Sequence, residues 1–341
     1  MEEIPMAHNI GQMFYFGKRP WHKLGTKLDH PANLEQALVA GGLDWEVGMV
    51  PIVPFDEPDS VISHRLAVVR RDKLPGEQGR VVGVVHPGYH PLQNRVGAKM
   101  FDDLLGQGQG VYHTGGYLKN CEVIWLLAKL PEDIRVNGHD VLETYLLFTN
   151  SHDGSLPIDI RLTTVRVVCN NTLTIALEGY GLNKVFKRGH DGSNAIIKAE
   201  AKQFFNFAIQ QTKKTEELFT KLSKMNCNKT DFEQFLDKLM PDIRRPITTE
   251  SSSSVLKSHE TRMKTLIETK KLVTDVHEHG IQSMGIAPSD NTWWGVLNTI
   301  TAWVDHVQSS KNDRYAHILL GGGNQMKSKA LSEIIVITKV R

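Results

Sequence analysis

The stretch VYHTGGYLKNCEVIWLLAKLPEDIRVNGHDVLETYLLFTN, residues 111–150, decides the fold class. Val111–Leu118, Cys121–Leu130 and Val141–Thr149 are rich in β-branched and aromatic residues and are bounded by turn residues, which is strand composition. Asn137-Gly138 lies between Ile134-Arg135-Val136 and Val141, and Asn-Gly tolerates the two positive φ angles of a type I′ hairpin turn. The middle of the chain is therefore expected to be antiparallel sheet.

Working toward the N-terminus, strands are expected at Trp45–Val53, Val61–Arg71 and Arg80–His86, the last two joined by a turn holding Pro75, Gly76 and Gly79. A helix is predicted over Asn94–Leu105, where Val96, Met100, Phe101, Leu104 and Leu105 share one face. Met6–Leu43 reads as an aromatic- and glycine-rich loop followed by a short helix at Leu34–Ala40. Working the other way, Ile158–Thr164 reads as a strand, and Val165–Leu177 fits either a strand or a helix capped by Thr163 or Thr164.

From about Gly189 the pattern turns helical. One helix is predicted over Asn194–Lys224, a second opened by a capping box at Thr230-Asp231-Phe232-Glu233, a third running to Gly280 as its C′ residue, and a fourth over Thr292–Gln308. The expectation is an α+β fold: an antiparallel β-sheet with hairpins and a packed helix in the front half, and a helical back half. Residues 1–190 would form the strand-rich domain, with 191–341 packed on it.

Apolar residues make up 40% of the 341 and charged residues 23%, which is globular composition rather than disordered. Forty basic residues against 38 acidic ones give no net-charge argument for a nucleic-acid partner, so any such partner must come from local clusters. Cys121, Cys169 and Cys227 are far apart with no CxxC, so neither a disulfide framework nor a cysteine-rich zinc site is indicated, which suits a reducing compartment. The N-terminus lacks the basic-then-apolar pattern of a signal peptide, and no apolar run approaches the ~20 residues of a membrane span. A cytoplasmic protein without a membrane partner is expected.

Several motifs carry chemistry on paper. Gly321-Gly-Gly-Asn-Gln-Met-Lys327-Ser328 approaches the phosphate-cradling GxxxxGK[ST] loop, but Met326 stands where glycine is needed. Gly106, Gly108 and Gly110 follow a helix and precede a strand, the reverse of the dinucleotide-binding order, and read as a connection. His277-Glu278-His279 ends a helical pattern, where two imidazoles two residues apart diverge, and suits the negative end of the helix dipole. His86 and His90 flank a Pro-Gly turn with no third ligand in view, so no metal site is assigned. Ser151-His152-Asp153-Gly154-Ser155 holds hydrolase residue types in a turn-forming context, making His152 and Asp153 the candidate catalytic pair.

The basic residues carry the stronger reading. Arg161, Arg166, Lys184, Lys187, Arg188, Lys198 and Lys202 face only three acids in the same span, an excess of four in a chain whose net charge is +2. Such a segment would track a phosphate backbone, with Tyr180 and Phe186 available for stacking. Arg70-Arg71-Lys73 and Lys18-Arg19-His22-Lys23 are lesser clusters of the same kind.

Met6-Ala-His8, Met13-Phe-Tyr15, Pro20-Trp-His-Lys-Leu-Gly25 and Gly42-Leu-Asp-Trp45 together resemble the start of a phage/plasmid-like family defined by domain of unknown function 932. Thr149–Ser155, Val165–Thr172, Asn291-Thr-Trp293 and Gly321-Gly-Gly323 extend the resemblance over nearly the whole chain. It implies a mobile-element origin, and the order of strands and helices is similar by analogy to single-strand-annealing recombinases. The expected function is therefore nucleic-acid binding, most concretely single-stranded DNA annealing. Arg161, Arg166, Lys184, Lys187 and Arg188 would hold phosphates, subunits would assemble as a homo-oligomeric ring or filament, and no cofactor would be needed. The alternatives are a hydrolase acting on nucleic acid or a nucleotide near His152 and Asp153, or a virion or scaffold component with no site.

Overall fold

A computed structural model describes residues 10–17, 25–106, 110–166, 172–174, 186–190, 212–242, 253–308, 317–318 and 321–340. In chain order its elements begin with β1 (Ile10–Phe16), β2 (Thr26–Leu28), α1 (Leu34–Ala40), β3 (Val47–Pro51), β4 (Leu66–Arg70), β5 (Val81–Val85) and α2 (Asn94–Leu105). The central strands are β6 (Val111–Leu118), β7 (Val123–Lys129), β8 (Ile134–Val136), β9 (Asp140–Ser151), β10 (Ile158–Arg166), β11 (Thr172–Thr174) and β12 (Phe186–Arg188). The helices that follow are α3 (212–222), α4 (Lys229–Leu239), α5 (Ser253–His279), α6 (Trp293–Ala302) and α7 (Gly322–Thr338).

The α+β class is as the sequence indicates. Nine strands form one sheet in the order β11-β10-β9-β7-β6-β1-β2, with β8 also on β9 and β12 also on β10; β3-β4-β5 form a separate antiparallel sheet. The Asn137-Gly138 turn joins β8 to β9, with φ of 51° and 79° at its two residues. A Cβ on Gly138 would meet nothing within 4 Å, so only backbone strain opposes a side chain there. Gly138→Ala is expected to cost about 1 kcal/mol, read as a lower denaturant midpoint with an unchanged m-value. A midpoint equal to wild type would show that the turn relaxes.

The first two strands correct the loop expected over Met6–Leu43. β1 lies between β6 and β2, antiparallel to the first and parallel to the second. Val165 and Arg166 continue β10, and Thr172–Thr174 form β11, which settles the ambiguous segment as strand where it is described. In the predicted helix over Asn194–Lys224, residues 212–222 are helical and 194–211 lie outside the described residues.

β9 is buried along nearly its whole length because both faces of the sheet are covered. One face meets α1 and α2: Phe148 stacks on Phe101 with ring centroids 5.7 Å apart, each ring contributing roughly 2–3 kcal/mol by burial. Val96, expected on the apolar face of α2, is 43% exposed, and Gly97 and Ala98 take the buried positions beside Met100 and Phe101. The other face carries Met13, Trp125, Tyr145 and Leu147 against Ile318. The edge of β3 is closed by a side chain: Gln93 accepts from Val47 N–H and donates to Val47 C=O, both at 2.9 Å, as a strand partner would.

In the helical half Phe219 packs on Trp294 at 4.7 Å, and Trp294 Nε1 donates to Asp140 Oδ2 at 2.9 Å, tying α6 to the start of β9. The N-cap of α4 is Asn228, whose side chain accepts from Asp231 N–H, rather than the predicted Thr230. The fourth predicted helix is α6 continued by a π-helical turn, Trp303–Val307. Gly280 is in the left-handed region after α5, as expected of a C′ residue, and donates to Val276 C=O. No helix among the described residues is long and apolar enough to cross a membrane.

Candidate functional site

Of the basic residues singled out around β10, Arg161 does not face an open groove. Arg161 donates from Nε to Asp159 Oδ1 at 2.8 Å and from Nη2 to Asp159 Oδ2, and the two side chains are only 11% and 3% exposed. Side chains two apart on a strand share a face, so Arg161 is neutralised within its own strand. Arg166 ends β10 opposite Leu142, and the backbones of Lys187 and Arg188 register with Asp159 and Ile158. Lys184 lies outside the described residues, as do Lys198 and Lys202.

His152 is fully buried. Asn94 Nδ2 donates to the carbonyls of Leu43 and Trp45, which leaves Asn94 Oδ1 as an acceptor for His152 Nε2–H at 2.8 Å. The tautomer follows: Nδ1 is the bare nitrogen, and it has no hydrogen-bond partner among the described residues. Burial pushes the imidazole pKa down to about 3, with charge on nearby His190 adding to the fall and Asp153 opposing it. A neutral histidine sealed under Trp45 has no route to a substrate. Asp153 does not contact it as a catalytic partner: Oδ1 accepts from Ser155 N–H and Oγ in a local turn, and Oδ2 lies 3.6 Å from Lys119 Nζ.

Lys327 of the glycine-rich segment is equally closed off. Its Nζ donates to Asp305 Oδ1 at 2.8 Å with both side chains 1% exposed, so it is not presented to a phosphate. His277 stacks on Phe232 at 3.9 Å and bonds Thr299 Oγ1, a core position rather than a solvent-facing end of the dipole. His86 Nδ1 accepts from Gly88 N–H within its own turn. Among the described residues no group of three metal-ligating side chains comes together.

What the fold does assemble is a polar cleft of about 520 Å3 between the β4–β5 hairpin and the β6–β7 turn. Arg70, Lys73, Tyr117, Lys119, Asn120 and Cys121 line it. The turn that carries them is unusual: Lys119 and Cys121 are non-glycine residues at φ of 55° and 67°, a conformation that costs of order 1 kcal/mol each and tends to gather at functional sites.

Arg70 is held on three sides. Its guanidinium lies 4.6 Å over the Trp45 ring, Nη1 donates to Cys121 Sγ at 3.0 Å, and Nε donates to Asp72 Oδ1 at 3.0 Å. Trp45 in turn packs on His152 with ring centroids 5.2 Å apart. The Ser151–Ser155 segment therefore serves the cleft from behind: His152 backs Trp45 and Arg70, its N–H bonds Glu122 C=O in the same turn at 2.7 Å, and Asp153 faces Lys119. Burial pushes the Cys121 thiol pKa up against the pull of Arg70, whose guanidinium donates to the sulfur.

Lys119 also pairs with Glu122 at 2.6 Å, which holds its pKa above the ordinary lysine value. Lys73 makes no salt bridge among the described residues, and the Glu77 carboxylate opposite accepts from Leu74 N–H in its own hairpin. Arg70 and Lys73 were legible as a basic cluster; Tyr117, Lys119 and Asn120 were not, because nothing local to the β6–β7 turn shows that it faces the β4–β5 hairpin.

Fold and cleft together define a two-sheet α+β protein with a polar cleft that sets cations beside a tyrosine. The chain belongs to the family described as a domain of unknown function, DUF932, whose model matches residues 81–321. No curated protein and no solved structure matches it.

Proposed function

We propose that this protein binds nucleic acid and that the Arg70–Lys73–Lys119 cleft is where it holds the phosphate backbone. The convergence of Lys73, which makes no salt bridge among the described residues, and the 45%-exposed Lys119 from two separate elements on one open cleft carries this reading. Phosphate oxygens are met by charge-assisted hydrogen bonds from lysine and arginine, and releasing condensed counterions makes that binding salt-dependent. Single-stranded DNA is the proposed partner, in a mobile-element protein that promotes annealing as a homo-oligomer; the annealing step rests on fold-level analogy.

The test is binding of fluorescent single-stranded DNA across a salt series. Wild-type protein is expected to bind at low salt with a negative log–log slope. Lys73→Gln with Lys119→Gln should weaken binding roughly tenfold and flatten the slope by about 1.4, two phosphate contacts at ~0.7 each. Arg161→Gln should leave the slope unchanged, since that side chain is only 11% exposed and turned onto Asp159, whereas Lys119 is 45% exposed. Absence of binding by wild type at low salt defeats the proposal, and an unaltered slope in the double variant removes the cleft from it.

A further inference from the structure

Tyr117 gives the cleft a second kind of surface. The register between β1 and β6 breaks between Ile10 and Met13, a bulge that contains Gly11. A Cβ on Gly11 would lie 1.8 Å from Cε2 and 2.4 Å from Cζ of Tyr117, so the ring rests directly on bare backbone. Glycine inside a strand costs about 0.5–1 kcal/mol relative to alanine, and here its missing side chain is the space the ring occupies. Gly11 and Tyr117 both line the cleft, and Lys119 follows Tyr117 by two residues. The ring is half-buried, so it combines a fixed position with an accessible surface.

An aromatic surface fixed beside cations, in a space of about 520 Å3, is what one nucleotide requires: the base stacks on the ring and its phosphate meets the ammonium groups. A base inside a duplex is already stacked on its neighbours and is not free to stack on a ring that lines a cleft. We infer that the cleft takes one unpaired nucleotide, with the base on Tyr117 and the adjacent phosphate on Lys73 and Lys119. This rests on the nucleic-acid reading above and narrows it from a polyanion to a single strand bearing bases.

The experiment compares three fluorescent probes of equal length: a thymidine oligonucleotide, its abasic counterpart with the same phosphates, and a duplex. Wild type should prefer the oligonucleotide over the abasic strand by about tenfold, within the range of one base–aromatic stack. Tyr117→Leu should abolish that preference while leaving abasic binding and its salt slope unchanged, and Tyr117→Phe, which keeps the ring, should retain the preference. Gly11→Ala, which drives a methyl into the ring, should reduce it without touching Tyr117 itself. Equal binding of oligonucleotide and abasic strand by wild type overturns the stacking inference and leaves the phosphate reading standing. Loss of the preference in Tyr117→Phe also overturns it. Failure of wild type to bind any probe overturns the phosphate reading itself.

Discussion

Lys327→Met is expected to lower the free energy of unfolding by roughly 3–5 kcal/mol, the usual consequence of removing one partner of a buried ion pair. Lys327 on α7 and Asp305 on the π-helical turn after α6 meet at 2.8 Å with 1% of either side chain exposed. Burial lowers the lysine pKa and the Asp305 carboxylate works against that fall. Without the ammonium, the Asp305 carboxylate loses its ion-pair partner while staying buried, and a buried charge is costly. Adding Asp305→Leu should recover much of the loss, because two apolar residues of similar volume need no solvation. Chemical denaturation of the two variants decides the matter. A single variant within 1 kcal/mol of wild type would mean that the carboxylate finds another partner.

That pair also bears on the glycine-rich segment, which Met326 already sets apart from a phosphate loop. The spacing from Gly321 to Lys327 carries the residue types of a phosphate loop, but it places the lysine in the second turn of α7, facing inward. Its buried partner is an aspartate 22 residues earlier, which no local pattern reveals.

Legibility followed sequence distance. α2 and β6 were readable to the residue because helix periodicity and strand composition are local properties. β1 was not, because its place in the sheet is set by pairing with β6 about a hundred residues away, where Phe14 registers with Gly115. The same holds for the cleft. Arg70 and Cys121 are brought together by two different sheets, and the sequence offered Arg70 only as one of a basic cluster. Arg161 is the instructive contrast, since its partner Asp159 is two residues away on the same strand face. Period-two alternation alone would have discounted it as a phosphate ligand.

Acidification from pH 6.5 to 5 is expected to destabilise the protein, with His152 contributing a slope approaching 1.4 kcal/mol per pH unit. In the unfolded chain an imidazole takes up its proton near pH 6.5, whereas in the folded protein burial first, and then the charge on His190, hold His152 to about 3. Over that window the unfolded state binds more protons than the native one, so stability rises with pH; it is fully present above 6.5 and is lost progressively as pH falls toward 3. His113 and His277, also pushed down by burial, add to the loss in the same direction. The window above pH 5 is informative because most carboxylates are still ionised there. His152→Gln keeps an amide near Asn94 but removes the titrating group, so it should be less stable than wild type at pH 7 by about 2 kcal/mol and depend less steeply on pH. Denaturant unfolding of both proteins at half-unit steps from pH 5 to 7.5 measures this directly. Parallel curves would mean that His152 takes up its proton as readily in the fold as outside it. Trp45, and the Arg70 stacked on it, would then rest on a charged imidazole, and the cleft would have to be held in place by the Asp72 and Cys121 contacts alone.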